Sequence, residues 1–419
     1  MSEVKVPEGY KQTEVEVIPE DWKVTTIGDF APLQRGFDLP TTKVEAGDYP
    51  VVYSNGIVRN HKDFQVKGAG IVTGRSGTIG KVHYIESDFW PHNTTLWVTS
   101  FGDAHVKFVY YLFKYIGFER FKSGSGVPTL NRNDAHSFKI TVPTKVDEQT
   151  AIATALSDID NLIQSLEKLI AKKEAIKTGA MQQLLTGKTR LPEFATREDG
   201  NPKGFRQTEL GRIPEDWEVK AIAKIVKDSR IPSGLYKDKN SYATGAGTSI
   251  IKLGDVFSSN IFDPKSAQRV NVDKSEIERY KVEIGDLIIA LASVKLEGVG
   301  KVMHVTTLEE ETIYDHNVAL IRTINNVSSS FLSYTFHSNY FRSLVASKAT
   351  QVGTTFLKAS TILGFELHLP SIKEQNAIAF ILSDMDAEIQ ALQERLDKTR
   401  DIKQGMMQQL LTGKVRLAH

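Results

Sequence analysis

The chain has 419 residues, 40% hydrophobic and 25% charged, with a formal net charge of +1 and no cysteine. At roughly 100–200 residues per domain, this predicts two to four domains of ordinary globular composition. The lack of cysteine excludes disulfides, thiolate zinc sites, iron–sulfur clusters and thiol nucleophiles, and it suits a reducing cytoplasm.

The opening residues, MSEVKVPEGYKQTE, contain no apolar run of signal-peptide type. No stretch approaches ~18 consecutive apolar residues, so no membrane span or membrane partner is expected, and the expected localisation is cytoplasmic. A protein that grips DNA alone usually carries a larger basic excess. Residues 25–146 hold 14 Lys and Arg against 10 Asp and Glu, and residues 220–372 hold 18 against 15. Both segments lean weakly basic, which fits nucleic-acid binding shared with a partner.

In chain order, GYKQTEVEVIPEDWKV comes first, at 9–24. Residues 25–146 then show short β-rich runs, YPVVYSNGIV, GAGIVTGRS, GKVHYI and TLWVTS, punctuated by Gly, Asn and Asp. A helical stretch, VKFVYYLFKYIGFERFK, follows, and then SGSGVPTLNRNDAHSFKITVP. From Glu148 the apolar residues Ile152, Leu156, Ile159, Ile163, Leu166 and Ile170 keep a 4,3,4,3,4 spacing, the heptad signature of a long helix seeking a helical partner. Lys173 and Lys177 interrupt that seam, so the second half of the helix is expected to face a different surface. Gly187 reads as its C-terminal stop.

The plan then repeats. GFRQTELGRIPEDWEV at 204–219 copies the first motif. A second variable segment carries TSIIKLGDV, DLIIALASV, GKVMHV and ALIRT, and then FLSYTFHSNYFRSLVAS. Ser371 to Glu374 reads as a capping box. Ile378, Leu382, Met385, Ile389, Leu392 and Leu396 continue the heptad phase, with Gly413 as the stop. EQTAIATALSDIDNLIQSLEKLIAKKEAIKTGAMQQLLTGKTRL at 148–191 thus returns as EQNAIAFILSDMDAEIQALQERLDKTRDIKQGMMQQLLTGKVRL at 374–417. The repeat closes on itself as a ring, which predicts neighbouring termini and a pseudo-two-fold relation between the halves.

The predicted fold is therefore α/β in the broad α+β sense. Two small variable domains are joined by two long helices that pair as an antiparallel coiled coil. The segments are 1–146 and 188–372, the second including the linker, for the two domains, and 147–187 and 373–419 for the two helices. The polar loop residues are the candidates for contacting DNA. In the first domain they are Ser54, Asn55, Arg75, Ser76, Thr78, Lys81, Ser125, Thr129, Asn131 and Arg132. In the second they are Lys252, Ser293, Lys295, Lys301, Thr354, Thr355 and Lys358. Arg can bond guanine O6 and N7 together, and Asn can do the same at adenine N6 and N7. Lys, Ser and Thr mostly hold phosphates.

Catalytic signatures are missing. Gly187-Lys188-Thr189 has Gln182 where a P-loop needs its first Gly. The His92-Asn93 and His316-Asn317 pairs have no clustered partners and read as strand-end structure. The segment 244–248 is a lone Gly-rich loop. No catalytic or metal-binding residue and no bound cofactor is expected in the chain.

The order of variable domain, repeated helix, variable domain, repeated helix resembles the specificity subunits of type I restriction–modification systems. The residues that carry the resemblance are IPEDW at 18–22 and 213–217, GIVTGRSGTIGKV at 70–82, and EQxAIAxxLSDxD with QQLLTGKxRL in both copies. The resemblance implies a non-catalytic subunit of a methyltransferase and endonuclease complex in phage defence. Each domain would read one half of a split double-stranded DNA target. The helices would space the domains and dock two methyltransferase subunits, with two restriction/translocase subunits joining for cleavage. S-adenosylmethionine, ATP and magnesium would belong to those partners. Two other readings remain open: a coiled-coil scaffold joining two small-ligand domains, and an orphan recognition protein that regulates a restriction system.

Overall fold

A computed structural model describes residues 6–123, 128–209, 211–238, 241–243, 246–352 and 354–417. The chain divides into two compact units, residues 1–169 with 392–419, and residues 170–391.

Unit 1 contains the first variable domain. Its central sheet has four antiparallel strands in the order Leu33–Arg35, Thr95–Val98, Gly70–Gly74, Val82–Ile85. A smaller sheet pairs Tyr49–Tyr53 with Gly56–His61 and with Trp90–Pro91. The helix Val106–Ile116 buries Phe108, Val109, Leu112, Phe113 and Ile116, the apolar stripe expected of a helix on a sheet. These residues share one core with Ile18, Trp22, Ile152, Leu156, Leu410 and Leu411.

Unit 2 repeats the plan with different strands. Leu287–Ala290 lies between Val302–His304 and Val318–Ile321. A four-stranded sheet runs Tyr242–Ala243, Gln268–Val270, Thr248–Ile251, Thr312–Tyr314, its last pairing parallel. A third sheet runs Ala292–Ser293, Thr354–Phe356, Thr350–Val352. The predicted helical stretch forms two helices, Ser329–His337 and Asn339–Lys348. Between them Ser338 accepts from Phe341 N–H.

The two long helices are Val146–Leu184 and Ile372–Leu410, 39 residues each. In unit 1 the early part of the first helix meets the late part of the second, with Asp160 against Lys403 and Glu167 against Arg400. In unit 2, Lys173 meets Glu388 and Lys177 meets Asp386. As one number rises the other falls, so the pairing inside each unit is antiparallel, as the pseudo-two-fold repeat predicts. Along the seam Ile152, Leu156, Leu166 and Ile170 are buried. The expectation that the second half of the helix faces a different surface is met, because Ala180, Met181, Leu184 and Leu185 join the unit 2 core, although Lys173 and Lys177 do not leave the second helix. Both ammonium groups still face the second helix, because acidic residues stand opposite them.

Each helix ends in the same way. Gly187 takes φ +68°, and the reversing chain donates Thr189 N–H to Gln183 O at 3.2 Å. A Cβ there would lie 2.5 Å from Pro214 Cδ, so the close approach also requires glycine. Gly413 repeats this with φ +70° and Pro19. The repeated motifs QQLLTGK and IPEDW are thus each other's packing partners. The capping-box reading of Ser371 to Glu374 holds only by half. Ser371 Oγ accepts from Glu374 N–H at 3.4 Å, but the Glu374 carboxylate is held by Arg190 and Trp217.

Candidate nucleic-acid interface

The Glu374 contacts belong to a buried clip that occurs once in each unit. In unit 2, Arg190 binds Glu374 through Nε at 2.6 Å and Nη2 at 2.8 Å, and Asp216 through Nη1 at 2.8 Å. Trp217 Nε1 donates to Glu374 at 3.1 Å. In unit 1, Arg416 binds Glu148 and Asp21 in the same way, and Trp22 donates to Glu148. The Arg416 hydrogen bond holds the Asp21 carboxyl below its usual range. Burial alone would raise Asp216, but hydrogen bonds from Arg190 and Lys203 outweigh it and leave Asp216 lowered. The neighbouring glutamines tie the helix start to its domain. Gln149 accepts from His105 N–H and donates to Pro143 O, and Gln375 does likewise with Ser328 and Pro370. Because Arg416 reaches Asp21, and Tyr10 Oη donates to Gly413 O at 2.9 Å, the segments around Tyr10–Asp21 and Gly413–Arg416 lie together.

A second repeated contact joins each domain to the helix pair. Tyr111 Oη donates to Asp160 at 2.9 Å, and Asp160 pairs with Lys403. Tyr334 Oη donates to Asp386 at 2.9 Å, and Asp386 pairs with Lys177. Burial pushes both phenols up.

On this frame the first domain opens a cleft of about 430 Å³ at the end of its central sheet. The cleft brings together four sequence-predicted residues, Arg75, Thr129, Asn131 and Arg132. Arg35, Ser123 and Asn133 also line it, and sequence reasoning missed them because no motif marks them. Three strands and a hairpin build it. Arg75 follows Gly70–Gly74, and its N–H donates to Thr94 O at 2.8 Å. Leu130 N–H donates to Arg75 O at 2.8 Å, and Ser76 bridges Thr129. Asn131 caps the helix Arg132–His136 by accepting from Asn133 N–H. Among the described residues no carboxylate lines the cleft and neither Arg75 nor Arg132 has an ion-pair partner, while Arg35 pairs with Asp38 beside it at 3.6 Å.

Ser76 sits beside this cleft through its bridge to Thr129, and the remaining described candidates of the first domain do not line it. Asn55 is exposed in the tight turn before Gly56, and Lys81 is exposed after Gly80. Thr78 is half-buried, with its carbonyl packed against Gly74. Ser54 is corrected: it is buried against the turn at Gly74 and Gly77, so it supports that loop and does not face solvent. Ser125 lies outside the described residues.

In the second domain Ser293, Lys295 and Lys301 line a shallow cleft of about 340 Å³ beside the exposed Val294. Lys301 Nζ donates to Phe257 O at 3.3 Å. Lys358 is exposed at the start of the helix Ala359–Leu363, and Thr354 is exposed on its strand. Lys252 is half-buried, and its Nζ lies 4.0 Å from the Tyr242 ring centroid and donates to Gln268. Thr355 is corrected in the same way as Ser54, because it is fully buried opposite Ser293.

Gly187-Lys188-Thr189 is a helix stop, as described above. His92 packs on the Tyr53 ring and meets Thr94, while Asn317 donates to Asp315, so both His-Asn pairs shape strand ends. Among the described residues, no group of three His, Asp or Glu could hold a metal ion. Likewise, no helix is long and apolar enough to cross a membrane.

The family model described as "Type I restriction modification DNA specificity domain" matches residues 19–177 and 214–399. The type I restriction enzyme MjaVIII specificity subunit of Methanocaldococcus jannaschii is 25% identical, covering 98% of this chain and 96% of that one. The putative type I restriction enzyme MjaX specificity subunit of the same organism is also 25% identical, covering 98% and 97%. The solved S subunit of the type I restriction-modification system of M. genitalium has a similar fold, with 15% identity, a TM-score of 0.59 and coverage of 93% and 96%.

Proposed function

The chain belongs to the type I restriction–modification DNA specificity family, and from that premise we propose that each of its domains reads one half of a bipartite, asymmetric double-stranded DNA target. The observation that carries this reading is the carboxylate-free cleft of unit 1. Three arginines and two asparagines, side chains that can form paired hydrogen bonds with base edges, converge there at the end of the central sheet. The lysine-lined cleft of unit 2 differs in nearly every residue, so the two half-sites differ in sequence.

The long helices set the spacing of the half-sites and seat two methyltransferase subunits. Each helix has about 58 Å of rise at ~1.5 Å per residue. Leu162 and Leu169 are exposed on the first helix, off its seam, and offer an apolar surface to such a subunit. Two restriction/translocase subunits complete the cleaving complex. S-adenosylmethionine, ATP and magnesium act in those partners, and this chain supplies recognition without catalysis. The partners also supply part of the phosphate contact, consistent with a net charge of only +1.

The test is co-expression with the cognate methyltransferase, followed by methylome sequencing. Two short specific blocks flanking an unspecified gap are expected. A single continuous palindrome, or no methylation, would overturn the reading.

A further inference from the structure

The two domains share a backbone scaffold around the unit 1 cleft, and that scaffold isolates what is particular to unit 1. In unit 1, Leu130 N–H donates to Arg75 O; in unit 2, Leu357 N–H donates to Leu291 O at 2.9 Å. Arg75 and Leu291 are thus structural counterparts, and Leu291 is a buried core residue. Arg132 opens the short helix capped by Asn131, and its counterpart, after Lys358, is Ala359. Arg35 precedes Gly36, which packs on the carbonyls of Pro91 and His92. Gly234 packs in the same way on Tyr314 and Asp315, and the residue before it is Ser233. All three arginines of the cleft are therefore absent from a scaffold that folds without them, so the fold does not require them.

The three differ in how they are held. Arg75 has its backbone pinned on both sides by 2.8 Å hydrogen bonds and lines the cleft half-buried. Arg35 and Arg132 are exposed, and Arg35 lies 3.6 Å from Asp38, which is also exposed. A bidentate base contact needs a guanidinium fork fixed on a rigid element, whereas a phosphate contact tolerates a mobile one.

We propose that the half-site read by the first domain contains a G·C pair whose guanine is specified by Arg75 through O6 and N7, with Arg35 and Arg132 holding flanking phosphates. This rests on the reading of the chain as a DNA specificity subunit.

The experiment uses the full complex with its methyltransferase, comparing wild type with Arg75→Ala, Arg75→Lys and Arg132→Ala. The readouts are the methylated motif and binding to the cognate duplex and to duplexes substituted at each G·C pair, across a salt series. Arg75→Ala should relax one G·C position in one half-site, cutting discrimination there about 5- to 150-fold, the equivalent of ~1–3 kcal/mol at ~1.4 kcal/mol per tenfold. The other half-site should be unchanged. Arg75→Lys keeps the charge, so it should keep the salt slope and still lose discrimination. Arg132→Ala should weaken all duplexes alike and reduce the salt slope by ~1. Thermal unfolding checks that the variants fold. A half-site without any G·C pair, or an Arg75→Ala variant that weakens every duplex equally with its motif intact, would overturn the proposal while leaving the subunit's wider function standing. If the wild-type complex methylates no bipartite motif, that wider function fails first.

Discussion

Arg190→Met tests whether the buried clip holds unit 2 together. The Arg190 side chain is 7% exposed and that of Glu374 2%. Removing the guanidinium leaves a buried carboxylate with only Trp217 Nε1 and water to satisfy it. Breaking a buried pair from one side costs about 3–5 kcal/mol. At m of ~3 kcal/mol/M in urea, that moves the unfolding midpoint down by about 1–1.7 M. Unit 1 supplies an internal comparison. Arg416 is 35% exposed, so water reaches the site when it is removed. Arg416→Met should therefore cost less, nearer the ~1–3 kcal/mol of an unmet polar group. Tryptophan fluorescence follows both, since Trp22 and Trp217 each sit in one clip. Adding Glu374→Gln to Arg190→Met removes the stranded charge and should recover part of the loss. The reasoning fails if Arg190→Met costs under ~1 kcal/mol, if Arg416→Met costs more, or if Glu374→Gln worsens the variant.

Tyr334→Phe should destabilise unit 2 by about 1–2 kcal/mol through the lost bond to Asp386, and Tyr111→Phe unit 1 likewise, read by urea midpoints. If these contacts also orient the domains, the methylated gap will tolerate a wider range of lengths while both half-sites keep their bases. Burial lowers the folded-state pKa of His304, His337 and His368. Their unfolded value is ~6.5, so the unfolded chain takes up protons first as the pH falls. Stability is then full above about pH 6.5 and declines below it, and a urea midpoint unchanged between pH 8 and pH 5 would contradict this. Leu166→Asp places a charge on the buried seam and should weaken methyltransferase pull-down before it unfolds either recognition domain; a normal pull-down would reduce the helices to linkers.

The duplication was plain in the sequence, and it carried more than the domain order. Asp21, Trp22, Glu148 and Arg190 recur as Asp216, Trp217, Glu374 and Arg416. Polar identity between diverged copies was the one signal of the clip, and reading the motifs separately missed it. Heptad spacing likewise predicts a continuous apolar face on the helix, although Ile152 and Leu156 bury it in the first domain's core together with the end of the second helix. Pattern could not say what stands opposite a residue. Lys173 and Lys177 look like breaks in the seam until Glu388 and Asp386, more than 200 positions away, are placed across from them. In the same way Glu374 looks like a cap until Arg190 claims it. The candidate loops were legible as loops, but not residue by residue. Their strands run to only two to six residues, too short for alternation to tell an inward side chain from an outward one. Ser54 and Thr355 therefore read the same in sequence as Asn55 and Thr354, and tertiary packing alone buries the first pair and exposes the second. That Arg35 joins Arg75 and Arg132 in one cleft was settled by strand order, which sets Leu33–Arg35 beside Thr95–Val98 and that strand beside Gly70–Gly74. Such pairings depend on contacts far apart in the chain, where local propensity carries no information.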